Sequence, residues 1–296
     1  MRNIYIIGAS GLIGGALYKN LVKKNIQTIG TYSKNKEDKL VYFDLLKSDY
    51  QLFKNVNKED VIFLMTAYSS PSWISKNKKE AKLLNYEMTK KFIDYLIPKN
   101  PKFIFMSSVE IFDGKKGNYA EDDNPNPLNY YGILKSKIEG YLKDNYKDYC
   151  IVRTGWNVGL NEKSRCVIQL TYETLTKPDA RMAKDNYFSL ANIEDTAEAI
   201  SNLIENHSTK KIHVCSDEVI SRIQLANLIL KNSLNSKKMY YNECLFKDID
   251  YAEPRGRVNN LDNSLSKKLF NIDYRAAESI ILDKIAYIDK KNLNGW

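Results

Sequence analysis

Tyr131-Gly132-Ile133-Leu134-Lys135 sets a phenol and an ammonium one helical turn apart, on the same face. A free tyrosine ionises near pH ~10, so it is a poor proton donor at neutral pH without help. A fixed cation beside it favours the phenolate and draws that value down toward a useful range. Such a phenol can protonate a carbonyl oxygen as hydride reaches the carbon. The spacing Tyr-x-x-x-Lys occurs six times, starting at Tyr32, Tyr50, Tyr86, Tyr95, Tyr131 and Tyr287. Context singles out Tyr131. It opens a helix just after Asn124-Pro125-Asn126-Pro127, and it follows Ser107-Ser108 at the C-terminal end of an apolar strand. Ligands of open α/β sheets bind at that end. A serine hydroxyl there can bond the same oxygen.

Gly8-Ala9-Ser10-Gly11-Leu12-Ile13-Gly14 carries glycines at i, i+3 and i+6 between a strand and a helix. The first glycine permits a tight turn, the second lets backbone approach a pyrophosphate, and the third lets helix pack on strand. The phosphates then meet the positive helix N-terminus. The bland alternative is a tight strand–helix connection. NAD preference shows as an acid at the end of the second strand. Here that strand ends Gly30-Thr31-Tyr32-Ser33-Lys34, with hydroxyls and a cation instead. NADPH is the expected cofactor, with NADH as the alternative.

These residues need elements to hold them. Short apolar runs at 4–7, 27–31, 61–65, 103–106 and 150–152 read as buried parallel strands. Helical spacing covers Leu12 to Leu21, 81–97 (stopped by Pro98) and 128–146. Alternation of this length predicts an α/β fold, a doubly wound parallel sheet with helices on both faces. Beyond about residue 155 the rhythm loosens. Helices are expected at 194–206, 222–230 and 276–288, with a strand at 211–215. The division is residues 1–155 for a cofactor domain and 156–296 for a smaller α/β substrate region, the helix at 194–206 returning to the first. The Gly-, Asn- and Pro-rich stretch 113–127 reads as an ordered surface loop.

Composition narrows the class. The 296 residues are 43% hydrophobic, with 21 Tyr and 10 Phe, enough for a sizeable core and against disorder. Net charge is +9, but only eight of the 45 cations are arginine, and the lysines spread along the whole chain. That argues against nucleic acid as a partner. A mildly positive field suits an anionic small substrate. Cys150, Cys166, Cys215 and Cys244 are far apart and make no ligand spacing with His207 or His213, so no metal site is expected. Glycines and serines interrupt the apolar N-terminus at five positions, and no run approaches a membrane span. No membrane partner is expected, and the expected compartment is cytoplasmic.

The chain resembles an extended short-chain dehydrogenase/reductase, most closely the dTDP-4-dehydrorhamnose reductase group of nucleotide-sugar enzymes. The resemblance rests on the glycine motif, Ala67-Tyr68, Ile111-Phe112-Asp113-Gly114, Pro127 to Gly132 with Lys135, and Arg153-Thr154-Gly155-Trp156. Arg255 with Leu261-Asp262 matches a weaker C-terminal pattern. It implies a Rossmann-type fold and reduction of a nucleotide-linked 4-keto-deoxysugar, for surface polysaccharide sugars. It implies a catalytic trio of Ser108, Tyr131 and Lys135. Lys135 would hold the nicotinamide ribose, Asp44 and Leu45 would flank the adenine, and Thr66-Ala67-Tyr68 would line the cofactor channel. Gly8, Ser10, Gly11, Leu12, Ile13, Gly14, Tyr32 and Ser33 complete the expected cofactor site. Trp156 would pack on the sugar and Arg255 would meet a diphosphate oxygen. A homodimer is a further expectation.

There are departures. Val109-Glu110 stands where the group carries Asp-Tyr, and Arg255-Gly256 where it carries Arg-Pro. Glu110 occupies the place of an acid/base group in related dehydratases, but Val109 cannot protonate a leaving hydroxyl. Two other readings stay open: an epimerase or epimerase–reductase using Glu110, and a non-catalytic NADP-binding regulatory subunit. Trp156 also fits a core aromatic, Glu110 a loop ion pair and Arg255 a solvent-facing charge.

Overall fold

A computed structural model describes residues 2–161 and 166–293. Seven parallel strands form the main sheet, in the order Lys211–Val214, Tyr149–Thr154, Lys102–Met106, Val61–Leu64, Ile4–Ile7, Thr28–Tyr32 and Val41–Tyr42. Alternate side chains point to opposite faces. Ile4, Ile6, Phe63, Ile104 and Val152 meet Leu17, Leu21 and Ile200 on one side. Tyr5, Ile7, Ile62, Phe105 and Ile151 meet Phe92, Ile138 and Leu142 on the other. The strands are apolar throughout because both faces are covered.

The division at residue 155 is crossed twice. Strand Lys211–Val214 joins the main sheet beside Tyr149–Thr154. Helix Ile193–Ser201 packs on helix Leu12–Lys23, where Asn20 and Lys24 bond Glu198 at 2.9 and 2.8 Å. A second sheet joins Val219–Ser221, Tyr187–Asn192, Val258–Asn259 and Trp156–Val158. It shares an apolar cluster with helices Val167–Leu175, Arg222–Asn232 and Ala277–Leu293.

The helix expected over 81–97 is interrupted. Lys78–Lys82 runs into a π-helical turn at Leu83–Met88 before Thr89–Leu96 resumes the α pattern. Buried Asn85 lies within that turn, and its amide bonds both N and O of Tyr68 at 2.8 Å. A π turn re-aims one side chain, which is why such turns gather at functional sites.

Candidate active site

Loops from five strands gather at the C-terminal edge of the main sheet. The first follows strand Ile4–Ile7, where Gly8 adopts a φ of +96° and a Cβ on Gly14 would collide with the carbonyl of Gly8. Helix Leu12–Lys23 starts there, and its N-cap Gly11 offers no side-chain cap. Its first-turn amides are thus open to an anion. A cavity of about 740 Å³ opens over them. Gly8, Ser10, Gly11, Leu12, Ile13, Gly14, Ala67, Ser108, Tyr131 and Lys135 line it, together with Asn35. The glycine cradle, the open amides and a lysine across the cavity fit a dinucleotide.

Tyr32, Ser33, Asp44, Leu45, Thr66 and Tyr68 are not on that wall. Tyr32 lies edge-on to Tyr42 at 5.7 Å between ring centres. Asp44 caps a short turn by accepting from Leu46 N at 3.0 Å, and Leu45 is buried in the sheet's lower core. Thr66 sits against Gly8. Tyr68 stacks near Trp73 at 4.3 Å, with Lys34 Nζ 5.5 Å from its ring centre.

Ser108 ends the loop after strand Lys102–Met106. Its Oγ accepts Glu110 N at 3.2 Å, which leaves its hydroxyl hydrogen to point elsewhere. Tyr131 and Lys135 lie on helix Tyr130–Asn145. A Cβ on Gly132 would collide with the carbonyl of Glu110, so glycine lets this helix close on Ser108. Lys135 is buried, donates to Met106 O at 2.6 Å and lies 5.7 Å from the Tyr131 ring centre. Burial draws its ammonium down to about 8, against the opposing pull of Glu139.

At Tyr131 the ammonium of Lys135 does not outweigh burial. Burial, seconded by the charge of Glu110, pushes Tyr131 well above the usual tyrosine range.

Ser108 and Tyr131 also line a second cavity of about 490 Å³, with Glu110, Trp156, Arg222 and Arg255. Five expected residues thus meet on one wall: Ser108, Glu110, Tyr131, Trp156 and Arg255. Glu110 is buried, and Asn129 Nδ2 donates to its Oε2 at 2.5 Å. Burial raises its pKa, while Arg255 and Asn129 pull it back. Val109 is fully buried in an apolar cluster instead. Trp156 stacks flat on Phe188 at 4.6 Å.

A buried polar network underlies the trio. Glu139, one turn beyond Lys135, accepts from Ser107 and pairs with Arg153 at 2.7 and 3.2 Å. Arg153 also donates to Glu121 O at 2.9 Å and approaches His213 Nε2 at 3.4 Å. Burial, then Arg153, hold His213 down to about 3, so its ring is neutral. The sequence reading missed Asn35, Asn129, Glu139 and Arg222. Of these, Asn129 had a local signal as an N-cap type within the Pro127–Gly132 motif, and Glu139 at helical spacing from Lys135.

The described residues include no helix long and apolar enough to cross a membrane. A family model described as RmlD substrate binding domain matches residues 1–286. Methionine adenosyltransferase 2 subunit beta of Bos taurus is 30% identical over 141 residues, which are 47% of this chain and 41% of that protein. The chain therefore matches less than half the length of that relative. A hypothetical dTDP-4-dehydrorhamnose reductase from Sulfolobus tokodaii has a solved structure that superposes with a TM-score of 0.79 and 26% identity, covering 95% of this chain and 99% of that one. A dTDP-4-dehydrorhamnose reductase from Bacillus anthracis, in complex with NADP, superposes with a TM-score of 0.78 at 19% identity, over 95% and 98% of the two chains. Sequence and architecture agree along nearly the whole length, and the chain belongs to the RmlD substrate binding domain family.

Proposed function

We propose that this protein reduces the keto group of a nucleotide-linked deoxysugar, at C4, with NADPH as the reductant and NADH as the weaker alternative. One observation carries the reading. Ser108, Tyr131 and Arg255 line both the glycine-loop cavity and a second cavity that also holds Glu110 and Trp156. A reductant bound in one and a ketone bound in the other meet at those hydroxyls.

The Gly8–Gly14 loop would hold the dinucleotide's pyrophosphate, and Tyr131 and Lys135 its nicotinamide ribose. When bound, this cofactor supplies hydride. Ser108 orients the carbonyl oxygen through its free hydroxyl hydrogen. Tyr131 gives that oxygen its proton, turning C=O into CH–OH. For Tyr131 to release this proton, the Lys135 ammonium and the negative charge developing on the oxygen must outweigh the burial that holds it. The Lys135 ammonium stabilises the phenolate left behind, and solvent restores the proton. Residues up to 155, with helix Ile193–Ser201 and strand Lys211–Val214, form the cofactor layer, and the remaining chain forms the sugar side. Four buried free thiols suit a reducing, cytoplasmic setting.

The test is a panel of nucleotide 4-keto-sugars with NADPH absorbance as readout. Oxidation of NADPH by at least one of them is expected. A second reading, a cofactor-binding subunit without turnover, is favoured by the relative named as a subunit of methionine adenosyltransferase. Tight NADPH binding with no oxidation across the panel would support it instead.

A further inference from the structure

Arg222 opens helix Arg222–Asn232 and reaches the second cavity. Its guanidinium carbon lies 5.3 Å from the Trp156 ring centre and 5.1 Å from that of Phe188. Nη1 donates to Thr171 Oγ1 at 2.8 Å, and Nη2 to Asn186 Oδ1 at 3.4 Å. All these neighbours are neutral, and among the described residues no carboxylate pairs with Arg222. Burial lowers the Arg222 pKa to about 10, Tyr251 opposing that shift and Arg255, a second cation lining the cavity, adding to it. Arg255 makes no ion pair among the described residues either, and rests 5.5 Å from the Tyr251 ring centre. Among the described residues lining this cavity Glu110 is the single carboxyl; it is bonded to Asn129, and Arg255 is the cation that acts on it.

Arg222 is half-buried, and a guanidinium partly withdrawn from water without a counter-charge, with a second one lining the same cavity, favours an anionic ligand. A ligand that brings two linked negative charges relieves both. Guanidinium groups suit phosphate oxygens in particular, through paired N–H donors.

We propose that Arg222 is an anion-binding side chain of this cavity, gripping one phosphate of a nucleoside diphosphate while Arg255 meets the other. This rests on the nucleotide-sugar reading and adds a residue to it. Trp156 then serves as a platform that aims Arg222, its flat contact with Phe188 fixing its plane. The Thr171 hydroxyl fixes the fork from the opposite side.

The experiment is calorimetric titration of the whole chain with dTDP, UDP, inorganic pyrophosphate and, separately, NADPH. Arg222→Gln is expected to weaken the tighter nucleoside diphosphate roughly 10- to 100-fold, the usual weight of one charge-assisted contact, and to leave NADPH affinity unchanged. Arg222→Lys is expected to recover part of the loss. Equal nucleoside diphosphate affinity in Arg222→Gln and the parent would overturn the proposal and leave the reductase reading standing. If the parent binds NADPH but neither dTDP nor UDP, the nucleotide-sugar reading fails along with it. Should Arg222→Gln not fold, phenylglyoxal labelling of the parent decides. Saturating dTDP or UDP shields Arg222 if the proposal holds, and modification at an unchanged rate contradicts it.

Discussion

Asn129 holds Glu110 and the Tyr131 helix in one register. Its Oδ1 caps the helix by accepting Gly132 N at 2.9 Å, while its Nδ2 donates to Glu110 Oε2 at 2.5 Å. Glu253 adds a second tie, accepting Tyr130 N at 3.0 Å and fastening the Arg255 segment to the same turn. Asn129→Ala removes cap and donor together. Loss of the cap alone should lower unfolding stability by about 1 kcal/mol. Asn129→Asp keeps the acceptor but faces Glu110 with like charge. Thermal unfolding that is unaltered in both variants would contradict this arrangement.

Arg153 and Glu139 form an ion pair with both side chains buried. Arg153→Met leaves Glu139 without its partner, and the expected loss is about 3–5 kcal/mol of stability. The double variant Arg153→Met/Glu139→Gln should be distinctly more stable than Arg153→Met, because the stranded charge is gone. Urea unfolding of the three proteins checks this. A double variant no better than the single one would mean that the pair is not the source of the loss.

The pH dependence follows from Lys135. Its folded value, about 8, lies below the ordinary lysine value, so the ammonium is lost as pH rises through that point. The charged form is the one that stabilises the Tyr131 phenolate. Hence kcat/KM for the keto-sugar should fall above about pH 8, and Lys135→Arg should move that limb to higher pH. A flat profile between pH 7 and 10 would count against a charged Lys135 in the step.

Glu110 separates reduction from ring-carbon acid–base chemistry. With unlabelled NADPH in deuterated water, the reduced sugar should carry no deuterium on ring carbon. Glu110→Gln should leave that result unchanged. Deuterium at the carbon beside the carbonyl, lost in Glu110→Gln, would make Glu110 a base and favour the epimerase reading.

What the sequence disclosed was local. The glycine loop, the strand ending at Ser108 and the Tyr131/Lys135 turn each lie within one stretch of chain, so spacing and periodicity suffice to find them. What it hid depends on pairing across distance. Arg153 meets His213 sixty residues on, and Tyr130 meets Glu253 across 123. Periodicity says nothing about which strand Lys211–Val214 pairs with. The π turn at Leu83–Met88 was hidden for another reason: one extra residue in a helix leaves its apolar pattern almost intact. Asp44 and Leu45 came from resemblance rather than spacing; in the fold Asp44 caps a short turn and Leu45 is buried.

The central claim is that Tyr131 delivers the proton. Tyr131→Phe removes one oxygen and keeps the ring, while the glycine loop and Lys135 still hold the dinucleotide, so NADPH affinity measured by fluorescence titration should fall only slightly. Turnover of the keto-sugar should fall by a factor on the order of 10²–10⁴, the usual share of a general acid. Turnover equal to the parent's, with cofactor bound as before, would contradict the account.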